Sequence, residues 1–252
     1  MLILASPAGG PLASFTDEFD STLNSRYTQT TGSWTISSGD LSTSTAASSY
    51  PLITFNARTR EVTVKAEPGT TAQYGWGVAF WVTDANNWWA VVADQETFLT
   101  QTGTTTVCNA CGSDQCGPDG SCNCYSCDGG GCIGNCTFVA NAGSTSQPVY
   151  RTDYRYVVRL IRRNAGTVST VSSATITEGN ISSTLTIGYV QATINTAGQI
   201  TATGQMSTGG TVATITNTPS SPTKTFIHGA IVVPKTAGTQ GTTFERYIYS
   251  PA

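Results

Sequence analysis

Short runs of alternating apolar and polar residues cover most of the chain, and this alternation predicts β-strands. In Glu61–Glu67, Val62 and Val64 alternate with Thr63 and Lys65, and a period of two places them on opposite faces of a strand. No window keeps the period of about 3.6 residues that a helix needs, so we expect almost no helix. The predicted strands are Ser33–Ile36, Leu52–Asn56, Glu61–Glu67, Tyr74–Val82, Trp88–Ala93, Tyr154–Arg162, Thr167–Thr177, Ser183–Asn195, Gln199–Met206, Thr211–Thr216, Lys224–Val233 and Thr243–Tyr249.

Turn signals separate these runs, among them Ser38-Gly39-Asp40, Pro68-Gly69 and Asn164-Ala165-Gly166. Many short strands with regular turns are typical of an all-β sandwich. We predict one such domain over residues 14–250. Within it, residues 104–147 replace the strand pattern with Gly, Asn, Asp, Ser and Cys, which indicates a Cys-rich loop insertion between two strands.

The composition supports an all-β protein and limits the classes of partner that it can bind. Charged residues make up 11 %, against about 25 % in an ordinary domain, and the β-branched residue Thr is the most abundant type. The formal charge of −3 argues against a nucleic-acid partner. No apolar run reaches the roughly 18 residues of a membrane span. The first residues lack a basic region and a long apolar stretch, so we expect synthesis in a cytosol without a secretion signal.

Motifs in a fixed order along the chain resemble one superfamily. They are Phe15–Asp20, Gly32–Ile36, Gly39–Leu41, Gly75–Trp81, Asp84–Asn87, Trp88–Val92, Tyr156–Leu160, Gly241–Phe244 and Tyr247–Tyr249. Together they resemble the concanavalin A-like lectin/glucanase (laminin-G-like) jelly-roll domains. This resemblance implies a jelly-roll β-sandwich. Domains of this kind occur in bacteriophage virion proteins, so the resemblance also implies a virion component.

Glycosidase activity is not expected, although the superfamily includes β-glucanases. Those enzymes carry a Glu-x-Asp-x-x-Glu pattern on one strand, because alternate residues share a face and retaining hydrolysis needs two close carboxyl groups. Glu18-Phe19-Asp20 begins the pattern, but Leu23 stands where the last Glu is required. The single histidine, His228, alternates with apolar residues and is predicted to pack at a core edge. We expect no enzyme.

All eight cysteines fall within the predicted insertion, at Cys108, Cys111, Cys116, Cys122, Cys124, Cys127, Cys132 and Cys136. The insertion has almost no apolar residues to bury, so it needs disulfide bonds or bound metal ions in order to fold. Eight thiolates would hold two structural Zn²⁺ ions with four ligands each, and Cys108–Cys111 and Cys124–Cys127 have the spacing of metal knuckles. Four disulfides are the equal alternative, and an iron–sulfur cluster is a third.

Three tryptophans are candidates for contact with a glycan or a protein partner. Strict alternation over residues 75–82 places Trp76 and Phe80 on the core face and Trp81 on the other, beside small residues. Trp88 and Trp89 follow across the next turn. We favour the interpretation that Trp81 and Trp89 pack under a loop or against a partner, and stacking on a sugar ring is the alternative. Lectin-like members of the superfamily bind glycans on the corresponding face, and some members bind Ca²⁺ near the first and last strands. For this chain the resemblance offers Asp17 or Asp20 as a Ca²⁺ ligand, but we favour the interpretation that both are exposed turn carboxylates.

The leading hypothesis is a non-enzymatic structural protein of a tailed-phage virion, in a decoration, tail-tip or fibre-associated position. Its partners would be other virion proteins and further copies of itself in a homo-oligomer, because a charge-poor, Thr-rich surface forms contacts with little desolvation of charge. The alternative is a lectin-like module that recognises host surface glycans through the three tryptophans. Neither hypothesis involves nucleic acid or a membrane.

Overall fold

In the computed structural model, every regular element among the described residues is a β-strand. The structure describes residues 10–20, 22–44, 50–69, 75–108, 124–127, 136–139, 144–179, 186–220, 224–232 and 243–252, and these contain no helix. The strands are β1 Phe15–Asp17, β2 Thr28–Thr31, β3 Ser33–Ser37, β4 Asp40–Ser44, β5 Leu52–Asn56, β6 Val62–Pro68, β7 Trp76–Asp84, β8 Asn87–Cys108, β9 Cys124–Cys127, β10 Cys136–Val139, β11 Ser144–Asn164, β12 Thr167–Gly179, β13 Ile187–Ile194, β14 Ile200–Met206, β15 Ala213–Asn217, β16 Ile227–Val232 and β17 Thr243–Pro251. The all-β prediction is confirmed.

The described strands form two large antiparallel sheets. One has the order β15-β14-β13-β6-β17-β4-β3, with β1 paired to β17. The other has the order β12-β11-β8-β7-β16-β5-β2. Non-consecutive neighbours such as β6 and β17 mean that strands distant in sequence meet in one sheet, as expected of a β-sandwich.

The core lies between the two sheets and follows the alternation. Val62 and Val64 of β6 are fully buried, and Thr63 between them is partly exposed, as predicted. On the opposite sheet Trp76 and Val78 belong to the same apolar cluster. A second buried cluster occupies the other face of β7 and its neighbours, with Leu52, Ala79, Val82, Trp88, Ala90, Val92, Ile161 and Ile231.

The alternation breaks inside β7, and this corrects the predicted face of Trp81. Trp81 has a φ of 49°, and the pairing of β7 with β8 shifts register between Phe80 and Asp84. Between these two pairs β7 has three residues and β8 has one, so the regular alternation of β7 is interrupted there. Trp81 therefore joins Phe80 in the main core, while Val82 turns to the second cluster.

The chain divides into two compact units. The first comprises residues up to Glu96 and from Tyr154 onwards, and the second is Thr97–Asp153. Strands β8 and β11 each run from one unit into the other, so regular structure extends into both ends of the segment 104–147, which the sequence predicts to be a loop. The second unit also contains the two-stranded sheet of β9 and β10. Whether residues 104–147 form a separate Cys-rich insertion stays a prediction.

Candidate functional site

Two hairpin turns of the first unit are joined by hydrogen bonds and form one end of a small cleft. Asp84 accepts a bond from the side-chain amide of Asn87 at 3.0 Å, which closes the β7–β8 turn. The Asn87 side-chain oxygen in turn accepts from the backbone N–H of Ala165 in the β11–β12 turn, at 2.9 Å. Arg163 Nη1 donates to the carbonyl oxygen of Ala85 at 2.9 Å. These bonds hold the ends of β8 and β11 in register.

The cleft beside these turns has a volume of about 110 Å³. Its walls combine indole rings with polar side chains: Trp81, Thr83, Asn87, Trp88, Trp89, Arg162, Arg163 and Asn164. The structure thus brings together the three tryptophans that the sequence singles out. It adds two arginines and two asparagines, and no acidic side chain is among the lining residues.

The three indoles are buried, with exposed fractions of 1 % for Trp81, 1 % for Trp88 and 6 % for Trp89. The indole N–H of Trp81 donates to the carbonyl oxygen of Arg60 at 3.0 Å, and that of Trp88 donates to Ala85 at 3.1 Å. The rings of Trp81 and Trp89 meet edge to face with centroids 6.4 Å apart. Little ring surface is therefore open for a sugar to stack on, and the glycan or partner contact stays a prediction.

Two flexible cations lie over these indoles. The Arg162 guanidinium carbon is 5.4 Å from the Trp89 ring centroid, and Lys224 Nζ is 5.4 Å from that of Trp81. Lys224 also packs over Gly198, where a Cβ would come within 1.9 Å of Nζ. Long side chains of this kind change rotamer at little cost. A ligand that displaced either cation would gain indole surface beneath it.

The sequence analysis missed the polar side of this cleft. Arg162, Arg163 and Asn164 lie at the end of β11, and only the sheet order places β11 beside β8. The turn signals at Asp84–Asn87 and at Asn164-Ala165-Gly166 were the available hint, because adjacent turns at one edge of a sheet bring their side chains together.

His228 lies apart from the cleft and is fully buried, which confirms the predicted packing. Its Nε2 donates to the carbonyl oxygen of Thr59 at 3.1 Å. Burial lowers the pKa of His228 to about 4, with the bond to Thr59 opposing this shift. The imidazole is therefore neutral at physiological pH, as suits a packed histidine.

Two of the three acidic residues of the opening segment contact other protein groups. Asp17 accepts a hydrogen bond from the backbone N–H of Phe19 at 3.1 Å, and Glu18 pairs with Arg246 at 3.2 Å. Asp20 lines a hollow of about 270 Å³ together with Asp40, Glu245 and their neighbours. Among the described residues no group of three His, Cys, Asp or Glu side chains is placed to hold a metal ion. Calcium binding by Asp17 or Asp20 and the absence of catalysis stay predictions.

Four of the eight cysteines lie in described strands. Cys108 ends β8, Cys124 and Cys127 are the first and last residues of β9, and Cys136 begins β10. The other four, Cys111, Cys116, Cys122 and Cys132, lie outside the described residues. Zinc binding and disulfide formation both stay predictions for the set as a whole.

Comparisons with known proteins do not place the chain in a family. No family model and no curated protein matches it. Among solved structures it is similar to the CBM2 module of the evolved Dit of Lactobacillus casei BL23 phage J-1, at 10 % sequence identity and a TM-score of 0.44 over 94 % of this chain and 96 % of that one. The described residues contain no helix that could span a membrane.

Proposed function

We propose that this chain is a non-enzymatic structural protein of a tailed-phage virion, whose sandwich is a concanavalin A-like jelly roll and whose second unit makes contacts between copies. One observation carries the contact role. In that unit the large apolar side chains Leu99, Val149 and Tyr150 are exposed by 66 %, 42 % and 53 %. Leu99 and Tyr150 lie on the neighbouring strands β8 and β11, and exposed apolar patches mark interaction surfaces on soluble proteins.

The charge distribution of the same unit favours a second copy of this chain as the partner. Between Phe98 and Tyr150 the only charged residues in the sequence are Asp114, Asp119 and Asp128, and all three lie outside the described residues. Arg151 and Asp153 neutralise each other, with Arg151 Nε 2.7 Å from Asp153 Oδ1. The described residues of this unit carry no other charged side chain, so two copies that meet there have little charge to desolvate, which suits self-association.

The oligomeric state tests this contact. We expect native mass spectrometry of the purified chain to show a homo-oligomer that Leu99→Ser and Tyr150→Ser convert to monomer. Val212→Ser is the matched control, because Val212 is exposed by 43 % but lies in the first unit. A monomeric wild-type protein, or equal loss of the oligomer in Val212→Ser, would overturn the contact.

The virion assignment has its own test. It is supported by the charge-poor, Thr-rich composition and by the motif resemblance along the chain. We expect tryptic peptides of the protein in density-purified phage particles. Peptides found only in the soluble fraction of the lysate would contradict a virion role.

A second candidate function, glycan binding, is favoured by the cleft. Indole rings bordered by asparagine amides and guanidinium groups are the side chains that bind a sugar ring and its hydroxyl groups. With Arg162, Arg163 and Lys224 at or over its walls and no acid in its lining, the cleft suits a glycan with carboxylate or phosphate groups.

A glycan array with two matched variants tests this candidate. Arg162→Ala removes the cation over Trp89, whereas Arg60→Ala removes a comparable cation that lies 5.1 Å from the Phe226 ring. We expect binding to anionic glycans that Arg162→Ala weakens about tenfold and Arg60→Ala leaves unchanged. An array without bound glycans, or equal loss in both variants, would contradict binding in this cleft.

A further inference from the structure

The β9–β10 hairpin places two cysteines directly opposite each other. The two strands pair antiparallel with Cys127 against Cys136 and Cys124 against Val139. Directly opposed residues in an antiparallel pair have Cα atoms about 4.5 or 5.5 Å apart, depending on the hydrogen-bonding pattern. Both separations lie within the range of about 4.4–6.8 Å that a disulfide spans.

We propose that Cys127 and Cys136 form a disulfide that cross-links the two strands of this hairpin. The two thiols lose two protons and two electrons as the S–S bond forms. The oxidant is a small-molecule disulfide such as oxidised glutathione. It accepts the two protons and the two electrons and is reduced to two molecules of thiol. The hairpin is two strands of four residues each, and two-stranded hairpins are marginal in water without a covalent or packing constraint.

The same strand geometry argues against a zinc knuckle at this place. Cys124 and Cys127 have the knuckle spacing in sequence, but they are the two ends of the extended strand β9. Three residues along a strand separate Cα atoms by about 10 Å. Two thiolates on one tetrahedral Zn²⁺, each about 2.3 Å from the metal, lie less than about 4 Å apart. A knuckle therefore requires a turn where the structure has a strand.

Peptide mapping of the full chain under non-reducing conditions tests the bond. Trypsin alone is uninformative, because no Lys or Arg lies between Lys65 and Arg151 and all eight cysteines stay on one peptide. Cleavage after Tyr125 and before Asp128 isolates Cys127 on a dipeptide with Ser126. After treatment with oxidised glutathione, we expect this dipeptide to be linked to the peptide that carries Cys136. The mass of the linked product should equal the sum of the two peptide masses minus two hydrogen atoms, and a phosphine reductant should separate the two peptides.

Two matched variants locate the partner cysteine, because Cys132 lies on the same peptide as Cys136. We expect Cys136→Ser to abolish the link and leave Cys127 open to alkylation, and Cys132→Ser to leave the link intact. A Cys127 that is alkylated in the oxidised wild-type protein, that is linked to another cysteine, or that becomes reactive only after a chelator removes zinc would overturn the proposal. The result is independent of the oligomer and glycan experiments.

Discussion

The imidazole of His228 is held inside the sandwich by one hydrogen bond, from its Nε2 to the backbone carbonyl oxygen of Thr59 at 3.1 Å. Its Nδ1 has no hydrogen-bond partner among the described residues. The ring is fully buried, with the Phe55 ring centroid 6.5 Å away. Protonation would place a positive charge in an apolar environment, and for this reason burial lowers the pKa to about 4.

Stability should therefore fall on mild acidification. Above pH 6.5 the imidazole is neutral in both the folded and the unfolded chain. Between pH 6.5 and the folded-state pKa of about 4, the unfolded chain binds a proton that the folded chain does not. The free energy of unfolding then decreases as pH falls, by about 3 kcal/mol over the whole window. Urea unfolding at a series of pH values measures this decrease.

His228→Gln is the control for that measurement, because the Gln side chain keeps an N–H donor for Thr59 and has no proton to bind. Carboxylates titrate alike in both proteins, so the difference between the two pH curves isolates His228. Parallel curves for wild type and variant between pH 6.5 and 4.5 would contradict the assignment.

Two buried indoles of β7 differ in one hydrogen bond, which makes them a matched pair. Trp81 donates to Arg60, whereas the Trp76 indole N–H has no partner among the described residues. Replacement by Phe removes similar apolar area at both sites. We expect Trp81→Phe to lower the free energy of unfolding by about 1–2 kcal/mol more than Trp76→Phe, as the carbonyl of Arg60 loses its donor. Equal losses in chemical denaturation would show that the bond contributes nothing.

Gly77 lies in β7 where the backbone of β8 leaves no room for a side chain. A Cβ at Gly77 would come within 2.0 Å of the carbonyl oxygen of Val91. Gly77→Ala should therefore destabilise the protein by about 3 kcal/mol or prevent folding, because a backbone atom must move. At Gly103 nothing lies within 4 Å, so Gly103→Ala should leave the melting temperature unchanged. A fully stable Gly77→Ala variant would mean that the two strands lie further apart.

Glu96 joins two arginines of β11 on the surface of the sheet. It accepts hydrogen bonds from both Arg155 and Arg159, and the side chains of Glu96, Arg155 and Arg159 are exposed by 25 %, 37 % and 27 %. We expect Glu96→Gln to cost about 1 kcal/mol at low salt and less in 1 M NaCl, where charges are screened. Glu178→Gln is the control, since Glu178 is 56 % exposed and 3.7 Å from Arg155. An equal change in the free energy of unfolding in both variants would show that the contact of Glu96 with two arginines adds no stability.

The strands that the sequence predicts well are those with a clear alternation and strong turn signals. Leu52–Asn56 is predicted to the residue, and every other predicted strand overlaps an observed one. The sequence analysis missed β2, Thr28–Thr31, because its residues are all polar and it is a strand only by pairing with β5 at the sheet edge. Alternation also fails at Trp81, because nothing local signals a positive φ in a non-glycine residue.

The candidate site was predictable in part. The three tryptophans are close in sequence, and the hairpin of β7 and β8 brings them together. The cations and amides that complete the cleft come from β11, some 75 residues later, and depend on the order of strands in the sheet. The burial of Trp81 among the residues of the main core depends on the irregularity in β7, which strict alternation does not predict.

The placement of the tryptophans gives the protein an internal optical reporter. All five, at Trp34, Trp76, Trp81, Trp88 and Trp89, are buried in the first unit, and the second unit has none. Their fluorescence emission should be blue-shifted in the native protein and should move to longer wavelength only when the sandwich opens. A loss of structure confined to the second unit should leave this emission unchanged, so a shift to longer wavelength reports on the first unit alone.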